Sequence, residues 1–372
     1  MGKKILITGG AGFIGSHLVD ELLEYGYDVA VLDNLTPQVH GALGNPPEYL
    51  SPHAEFIHGD VRDAEAVKKA LKGVEAVFHF AAAVGVGQSM YQICRYTDIN
   101  NQGTAVLLES LIESGVKKLI VASSMSVYGE GLYKTGKGWC VNCACRTPQK
   151  LKAGAWDPVD SNGEVLRAVP TPEGKTPDLS SVYALSKYDQ ERMSLMIGRA
   201  YGIDTVALRF FNVYGTRQSL SNPYTGVLAI FASRLLNNKR PFVFEDGKQV
   251  RDFVSVKDVG RACRLALEEP AAAGMVFNIG SGNCYQILEI ARKISIAVGR
   301  EHIDPVVSGK YRVGDIRHCF SDITLASKIL GYTPQVDLID GLTDMAQWLE
   351  GQVADDFLES ANAELAKRGL SL

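Results

Sequence analysis

No apolar run in this 372-residue chain approaches the ~20 residues that cross a bilayer, so a membrane-spanning protein is not expected. Positive charge is not in excess: 38 Lys and Arg stand against 42 Asp and Glu, a formal charge of −4, which argues against a nucleic-acid binder. Cysteine is sparse and odd in number, seven in all, and Cys94, Cys263, Cys284 and Cys319 are scattered. That distribution suits reduced thiols better than a disulfide framework. The opening MGKKILITGGAG lacks the apolar core and cleavage site of a secretory signal, so a cytoplasmic protein is expected. The seven histidines show no metal-ligand spacing. What remains, 46% hydrophobic and 22% charged residues, is ordinary for a globular chain, with a length that suits about two domains or one large α/β body.

KILITGG reads as a buried strand running into Gly9-Gly10-Ala11-Gly12-Phe13-Ile14-Gly15. A helical pattern follows, SHLVDELLEYG, with Leu18, Leu22 and Tyr25 on one face, and then a second strand, DVAVLD. In this context each glycine has a reason. Gly9 permits a tight turn, Gly12 lets backbone N–H groups approach a pyrophosphate, and Gly15 lets the helix lie close to the strand. The helix N-terminus offers unpaired donors to phosphate. Asp33 ends the second strand, where a carboxylate accepts from a ribose 2′-hydroxyl and repels a 2′-phosphate. These features predict NAD rather than NADP as the cofactor.

The alternation continues through EFIHGD, AEAVKKALKG, EAVFHFAAA, GTAVLLESLIESG and KKLIVASS. Strands and helices at this spacing predict an α/β fold, a Rossmann-like doubly wound parallel sheet. Ligands in such sheets sit at the carboxyl ends of the strands, which is where Gly9, Asp33, Asp60, Ala81, Ser123 and Ser124 fall.

The segment SSVYALSKYDQERMSLMIGRAYG predicts a helix with Tyr183 and Lys187 one turn apart on one face. A phenol is a poor base at neutral pH, and a neighbouring ammonium favours the phenolate. Tyr183 could then take a proton from a substrate hydroxyl while the carbon beneath it is oxidised by NAD, with the Ser124 hydroxyl holding the oxygen.

The stretches TGGAGFIGS, HFAAAVGVGQS, DINNQGT, SSMSVYG, YALSK, RFFNVYG, RDFVSVKDV, NIGSG and RVGDIRH together resemble the extended short-chain dehydrogenase/reductase family, specifically its NAD-dependent nucleotide-sugar epimerase/dehydratase group. The resemblance spans nearly the whole chain. It implies Tyr183 as the base, Lys187 as a partner of the nicotinamide ribose and Ser124 as the catalytic hydroxyl. It places Gly9, Gly12, Phe13, Ile14, Gly15, Asp33, Asn34, Asp60, Val61, Ala81, Ala82 and Asn100 at the NAD site. Gly87, Gln88, Ser89, Ser124, Ser126, Asn212, Arg251, Arg312 and Asp315 fall at positions for the nucleotide sugar, where the planar fork of arginine suits phosphate. A homodimer through the helices that contain Leu107 to Ile112 and Met193 to Ile197 is implied as well.

Dehydratases of the group carry Asp-Glu directly after their catalytic Thr. Met125 and Ser126 stand there in this chain, and neither can replace a carboxyl pair. The expected reaction is therefore 4-epimerisation through a transient 4-keto sugar, with NAD not consumed. VLDNLTPQVHG, AAAVGVGQSMYQ and SSMSVYGEGLY are most similar to dTDP-L-rhamnose 4-epimerase-type sequences, which implies a dTDP-linked 6-deoxyhexose. A UDP-glucose or UDP-glucuronate type of 4-epimerase is the broader match. A 4-ketoreductase, which would consume reduced cofactor, is the alternative enzyme. An NAD-sensing regulator is the non-enzyme alternative, and such proteins lose the Tyr and Lys that this chain keeps.

Between Gly129 and Tyr183 the chain is rich in Gly, Pro, Lys and Thr and reads as an irregular surface excursion, a possible rim of the substrate pocket. Cys140 and Cys143 have the spacing of half a zinc ribbon, yet residues 155 to 165 read AWDPVDSNGEV, without the second pair. Cys145 could add a third ligand and Asp157 or Asp160 a poor fourth, so no metal is expected. Residues 1–216 are expected to form the NAD-binding domain, with the insertion at 131–176 and a returning segment at 257–281. Residues 217–256 and 282–350 are expected to form a smaller interleaved substrate lobe, and 351–372 a C-terminal helix. From Thr343 to about Lys367 the pattern reads as helical, with Leu349, Val353 and Phe357 recurring for packing on the body.

Overall fold

The computed structural model describes residues 2–41, 44–142, 144, 146–312, 314–352 and 354–371. Seven strands form one parallel sheet: β1 (Lys4–Thr8), β2 (Asp28–Asp33), β3 (Glu55–His58), β4 (Ala76–His79), β5 (Lys118–Ser124), β6 (Asp204–Phe210) and β7 (Val276–Ile279). Their spatial order is β7-β6-β5-β4-β1-β2-β3. The order reverses between β1 and β4, which is where a doubly wound sheet opens a crevice for a ligand.

Both faces of the sheet are covered, so its central strands are apolar without alternation. The helices include α1 (Phe13–Glu24), α2 (Ala64–Ala70), α3 (Gly103–Ile112), α4 (Val182–Tyr201), α5 (Val227–Leu236), α6 (Val256–Glu268), α7 (Ile287–Ala297), α8 (Leu338–Leu349) and α9 (Leu358–Lys367). Successive side chains of β1 point to opposite faces. Ile5 and Ile7 join Leu18, Val19 and Leu22 of α1 and Val259, Ala262 and Cys263 of α6. Leu6 joins Val67 of α2 and Leu107, Leu108 and Leu111 of α3. Tyr25, which the sequence pattern puts on the buried face of α1, lies beyond the helix end and is exposed, with the Arg264 guanidinium 3.6 Å above its ring.

A separate apolar cluster joins Leu228, Phe231 and Leu235 of α5, Ile290, Ala291 and Ile294 of α7, and Leu338, Leu342 and Met345 of α8. The late strand β7 returns to the sheet beside β6, as VFNIGSG leads one to expect. The helical pattern over 343–367 is not one helix: α8 ends at Leu349 and α9 begins at Leu358. Val353 lies outside the described residues. Among the described residues no helix is long and apolar enough to cross a membrane.

The stretch after Gly129 is not the irregular excursion expected. Leu132–Lys134 pairs antiparallel with both Cys140–Val141 and Arg167–Val169, and Tyr133 is fully buried beneath this small sheet. Charge ties it down. Arg146 donates to Glu130 (3.0 Å), to Glu245 (2.6 Å) and to the carbonyl of Asp315. Arg317, also fully buried, donates to Glu245 (3.0 Å), Asp246 (2.6 Å) and Asp157 (2.7 Å). Two buried guanidiniums thus share Glu245 and are ringed by four carboxylates. Cys140 is exposed on its short strand, while Cys143 and Cys145 lie outside the described residues.

Candidate active site

Helix α4 carries the proposed base, and its placement begins with its ends. Ser181 caps it by accepting the N–H of Ala184 at 3.1 Å, and Gly202 closes it in the left-handed conformation at φ 69°. Glu191 on α4 holds Arg209 of β6 through two bonds of 2.6 and 2.8 Å and accepts from Ser123 of β5 at 2.7 Å. This fully buried pair is bidentate and locks the helix across the strand ends. The first turn is tied from the other side by Ser89, whose hydroxyl oxygen accepts the Tyr183 N–H at 3.0 Å.

A cleft of about 620 Å³ opens at the carboxyl ends of β1, β2, β4 and β5. Of the residues singled out from the sequence, Gly9, Gly12, Phe13, Ile14, Gly15, Asp33, Asn34, Asp60, Val61, Ala81, Ala82, Gly87, Gln88, Ser124, Ser126, Tyr183, Lys187, Asn212, Arg251, Arg312 and Asp315 all line it. Asn100 and Ser89 do not. Asn100 is buried behind the wall, bonded to both backbone groups of Ala83 and to Ser186. Ser89 is likewise buried and serves the helix. No described residue of the 131–176 insertion lines the cleft, in contrast to the rim expected of it.

The turn after β1 fits a dinucleotide. Gly9 has φ +72°, and a β-carbon there would stand 2.7 Å from the backbone nitrogen of Ala81. A β-carbon on Gly15 would overlap the carbonyl oxygen of Gly9, so the helix can start this close to the turn only with glycine. No side chain caps α1, and its first-turn residues line the cleft, which leaves backbone donors for a pyrophosphate. Asp33 accepts the N–H groups of Ala11 (3.1 Å) and Leu35 (2.9 Å), which fixes its carboxylate at the end of β2. Asp60 is bonded by Arg62 and by Asn34, at 2.8 Å from the latter. The Arg62 hydrogen bonds hold the Asp60 carboxyl well below its usual range. NAD would be held by these groups.

The candidate reacting groups are Ser124, Tyr183 and Lys187, which share the cleft. Burial raises the pKa of the Tyr183 phenol, and a hydrogen bond with Ser124 opposes the rise. The sequence reading made Lys187 the group that lowers it. The structure differs: Lys187 Nζ donates to Gln190 Oε1 at 2.7 Å, and burial pulls the Lys187 ammonium down to about 7, against the pull of Glu191. The one-turn spacing puts both residues on the same face, yet Gln190 captures the ammonium. Gln190 in turn bonds Thr104 (2.7 Å) and approaches His79 Nε2 (3.2 Å). The arrangement can accept a proton at Tyr183 Oη while Ser124 aligns the oxygen that gives it up.

The far end of the cleft carries the arginines. Arg251 is braced by the carbonyls of Val250 and Arg317, both at 2.9 Å, and by Ile316. Arg312 donates to Asp315 at 3.0 Å and lies 4.5 Å over the Phe244 ring, so Asp315 acts on Arg312. Several lining residues were not foreseen. Gln38 donates to both Gln88 and Asn222 at 3.2 Å, and Arg95 donates to Gln38 at 2.8 Å, which forms a carboxamide bridge between segments far apart in sequence. Leu358, Ala361, Asn362, Leu365 and Leu370 line the cleft from the C-terminal segment. The recurrence read from the sequence, Leu349, Val353 and Phe357, lies before α9, and Phe357 is exposed rather than packed on the body.

Residues 5–147 and 160–280 match the NAD dependent epimerase/dehydratase family. A dTDP-L-rhamnose 4-epimerase of Burkholderia thailandensis is 37% identical over 354 residues, 94% of this chain and 95% of that protein. A UDP-glucose 4-epimerase of Thermotoga maritima, solved with UDP-glucose, superposes with a TM-score of 0.76 at 34% identity, over 94% of this chain and 99% of that one. A UDP-glucose 4-epimerase of Thermus thermophilus in complex with NAD gives 0.74 at 30% identity, over 94% and 100%. The chain belongs to the NAD-dependent epimerase/dehydratase family and is an enzyme of the isomerase class with NAD as its cofactor.

Proposed function

We propose that the protein is a nucleotide-sugar 4-epimerase whose substrate is a dTDP-linked 6-deoxyhexose such as dTDP-L-rhamnose. NAD, when bound, supplies a reversible two-electron oxidation at the sugar carbon. Tyr183 Oη removes the proton of the C4 hydroxyl, and Ser124 donates a hydrogen bond to the same oxygen as it becomes a carbonyl. Rotation of the 4-keto sugar presents its other face, and Tyr183 then returns the proton. Lys187 lies one turn below the phenol and orients the cofactor's ribose. Arg251 and Arg312 hold the diphosphate. Asp33 at the end of β2 selects NAD.

The observation that carries this reading is that Ser124, Tyr183 and Lys187 face one cleft in which Met125 and Ser126 replace an acid–base pair. A hydroxyl and a thioether supply no group strong enough to expel a leaving group at C6, so the keto sugar can only be reduced again. The substrate fits the same reading through the similarity to the Burkholderia protein. We further read residues 1–216 with 257–281 as the NAD-binding body, and 217–256 with 282–350 as the substrate lobe. The protein would be a cytoplasmic homodimer joined along α3 and α4, where Ile112, Leu185 and Met196 are exposed.

The test is incubation of the purified enzyme with a panel of dTDP- and UDP-sugars, with products resolved by NMR and absorbance followed at 340 nm. Inversion at C4 of the dTDP-6-deoxyhexose without net absorbance change is expected. Stoichiometric loss of added NADH or NADPH would make it a ketoreductase, and turnover of UDP-glucose alone would move the substrate.

A further inference from the structure

Helix α9 and the residues after it do more than pack on the body. The segment is held at several separate places. Asp356, just before α9, pairs with Arg234 (3.1 Å) and Lys239 (3.0 Å). Leu365 stands against Gly87, where an added β-carbon would meet its two Cδ atoms at 3.4 Å. Arg368 lies 4.5 Å over the Tyr91 ring, and Ser371 pairs with Arg312 by a backbone bridge. The segment therefore runs from the lobe, past the Gly87 to Tyr91 stretch, to the loop of Arg312. It walls the same cleft that Ser124 and Tyr183 face.

The chemistry of this wall is narrow. Leu358, Ala361, Leu365 and Leu370 are apolar, and Asn362 is neutral. None of the five carries a charge, so a carboxylate set against them would lose its hydration without a counter-charge from the wall, which is costly. A methyl group would gain by leaving water.

We propose that the α9 wall, centred on Leu365 and Leu370, is a specificity element: it takes the C5 substituent of the sugar and selects a methyl group over a carboxylate. This rests on the epimerase reading above and deepens it. Leu365 facing Gly87 brings the wall to the stretch next to the catalytic helix, because Ser89, two residues on, holds the Tyr183 N–H. The sugar is thus bounded by chemistry that the glycine and tyrosine motifs do not encode.

The test compares kcat and KM for a 6-deoxy nucleotide sugar and the corresponding uronate in the wild type, Leu365→Ala, Leu370→Ala and Leu365→Arg, with thermal midpoints to confirm folding. The wild type should favour the 6-deoxy sugar in kcat/KM by tenfold or more. The alanine variants should raise its KM severalfold with a smaller change in kcat. Leu365→Arg should shift the preference at least tenfold toward the uronate, through KM. If that variant does not fold, Leu365→Gln carries the same comparison, with a shift of severalfold. Folded variants that keep the wild-type ratio overturn the proposal, as does a wild type that prefers the uronate. A wild type that inverts neither sugar overturns the epimerase reading itself, a different result from an unchanged ratio.

Discussion

Ser126 donates twice to the hydroxyl oxygen of Ser124, from its backbone N–H at 3.1 Å and from its own hydroxyl at 2.9 Å. With two donors on its oxygen, Ser124 keeps its own proton to give, and the Tyr183 phenol faces the same cleft. Ser126→Ala removes one of these bonds and loosens the Ser124 hydroxyl. The Ser124 bond lowers the pKa of Tyr183 against the rise caused by burial, so weakening it lets the phenol rise further. The acid limb of the kcat profile should move to higher pH, and kcat at neutral pH should fall by up to ~10-fold, the worth of one hydrogen bond. A pH–rate series on wild type and variant checks both.

Tyr183→Phe removes the proton acceptor and leaves the cleft shape intact. Loss of general acid–base catalysis should lower kcat by ~10²–10⁴-fold, while nucleotide-sugar binding measured by calorimetry stays close to wild type. A variant with full sugar interconversion by NMR would end the assignment of the base.

His79 lies fully buried between Thr8 (2.8 Å) and Thr104 (2.9 Å), with Gln190 beside it. Burial, with Lys187 adding to it, pushes the imidazole down to about 3. Between that value and the ordinary histidine value of 6.5 the unfolded chain binds the proton and the folded one does not. Stability should therefore fall as pH drops from 6.5 towards 3. Urea midpoints across that range should show a shallower loss in His79→Gln, whatever its stability at neutral pH.

Arg146 is almost fully buried between Glu130 and Glu245. Arg146→Met would leave both carboxylates without this partner, and breaking such a buried pair costs about 3–5 kcal/mol. The thermal midpoint should drop by several degrees or more. Because Arg146 also holds the Asp315 carbonyl, KM for the nucleotide sugar should rise more than kcat falls.

The nucleotide-binding half was legible because its requirements are local. The glycine turn, the acid at the end of β2 and the one-turn spacing of Tyr183 and Lys187 are fixed by the geometry of a turn, a strand and a helix. Contacts between distant segments were not. Gln190 is only three residues from Lys187, yet what sets its amide to receive the ammonium is its bonding to Thr104 and His79, far away in sequence. The insertion misled for a related reason: Gly, Pro and Thr describe its turns, while its order comes from Arg146 and Arg317 meeting Glu245, about a hundred and about seventy positions away. The C-terminal wall was hidden because an apolar helical stripe looks the same whether it covers a core or a ligand.

Strand β7 completes the sheet by pairing with β6, some seventy residues earlier in the chain. During synthesis from the N-terminus, β6 must wait with one edge bare until Val276–Ile279 has left the ribosome. Such an unpaired edge invites association with other chains. The nascent protein should therefore depend on chaperone shielding in that interval, and a ribosome-stalled fragment that ends before residue 276 should be more prone to aggregate than one that extends past 279.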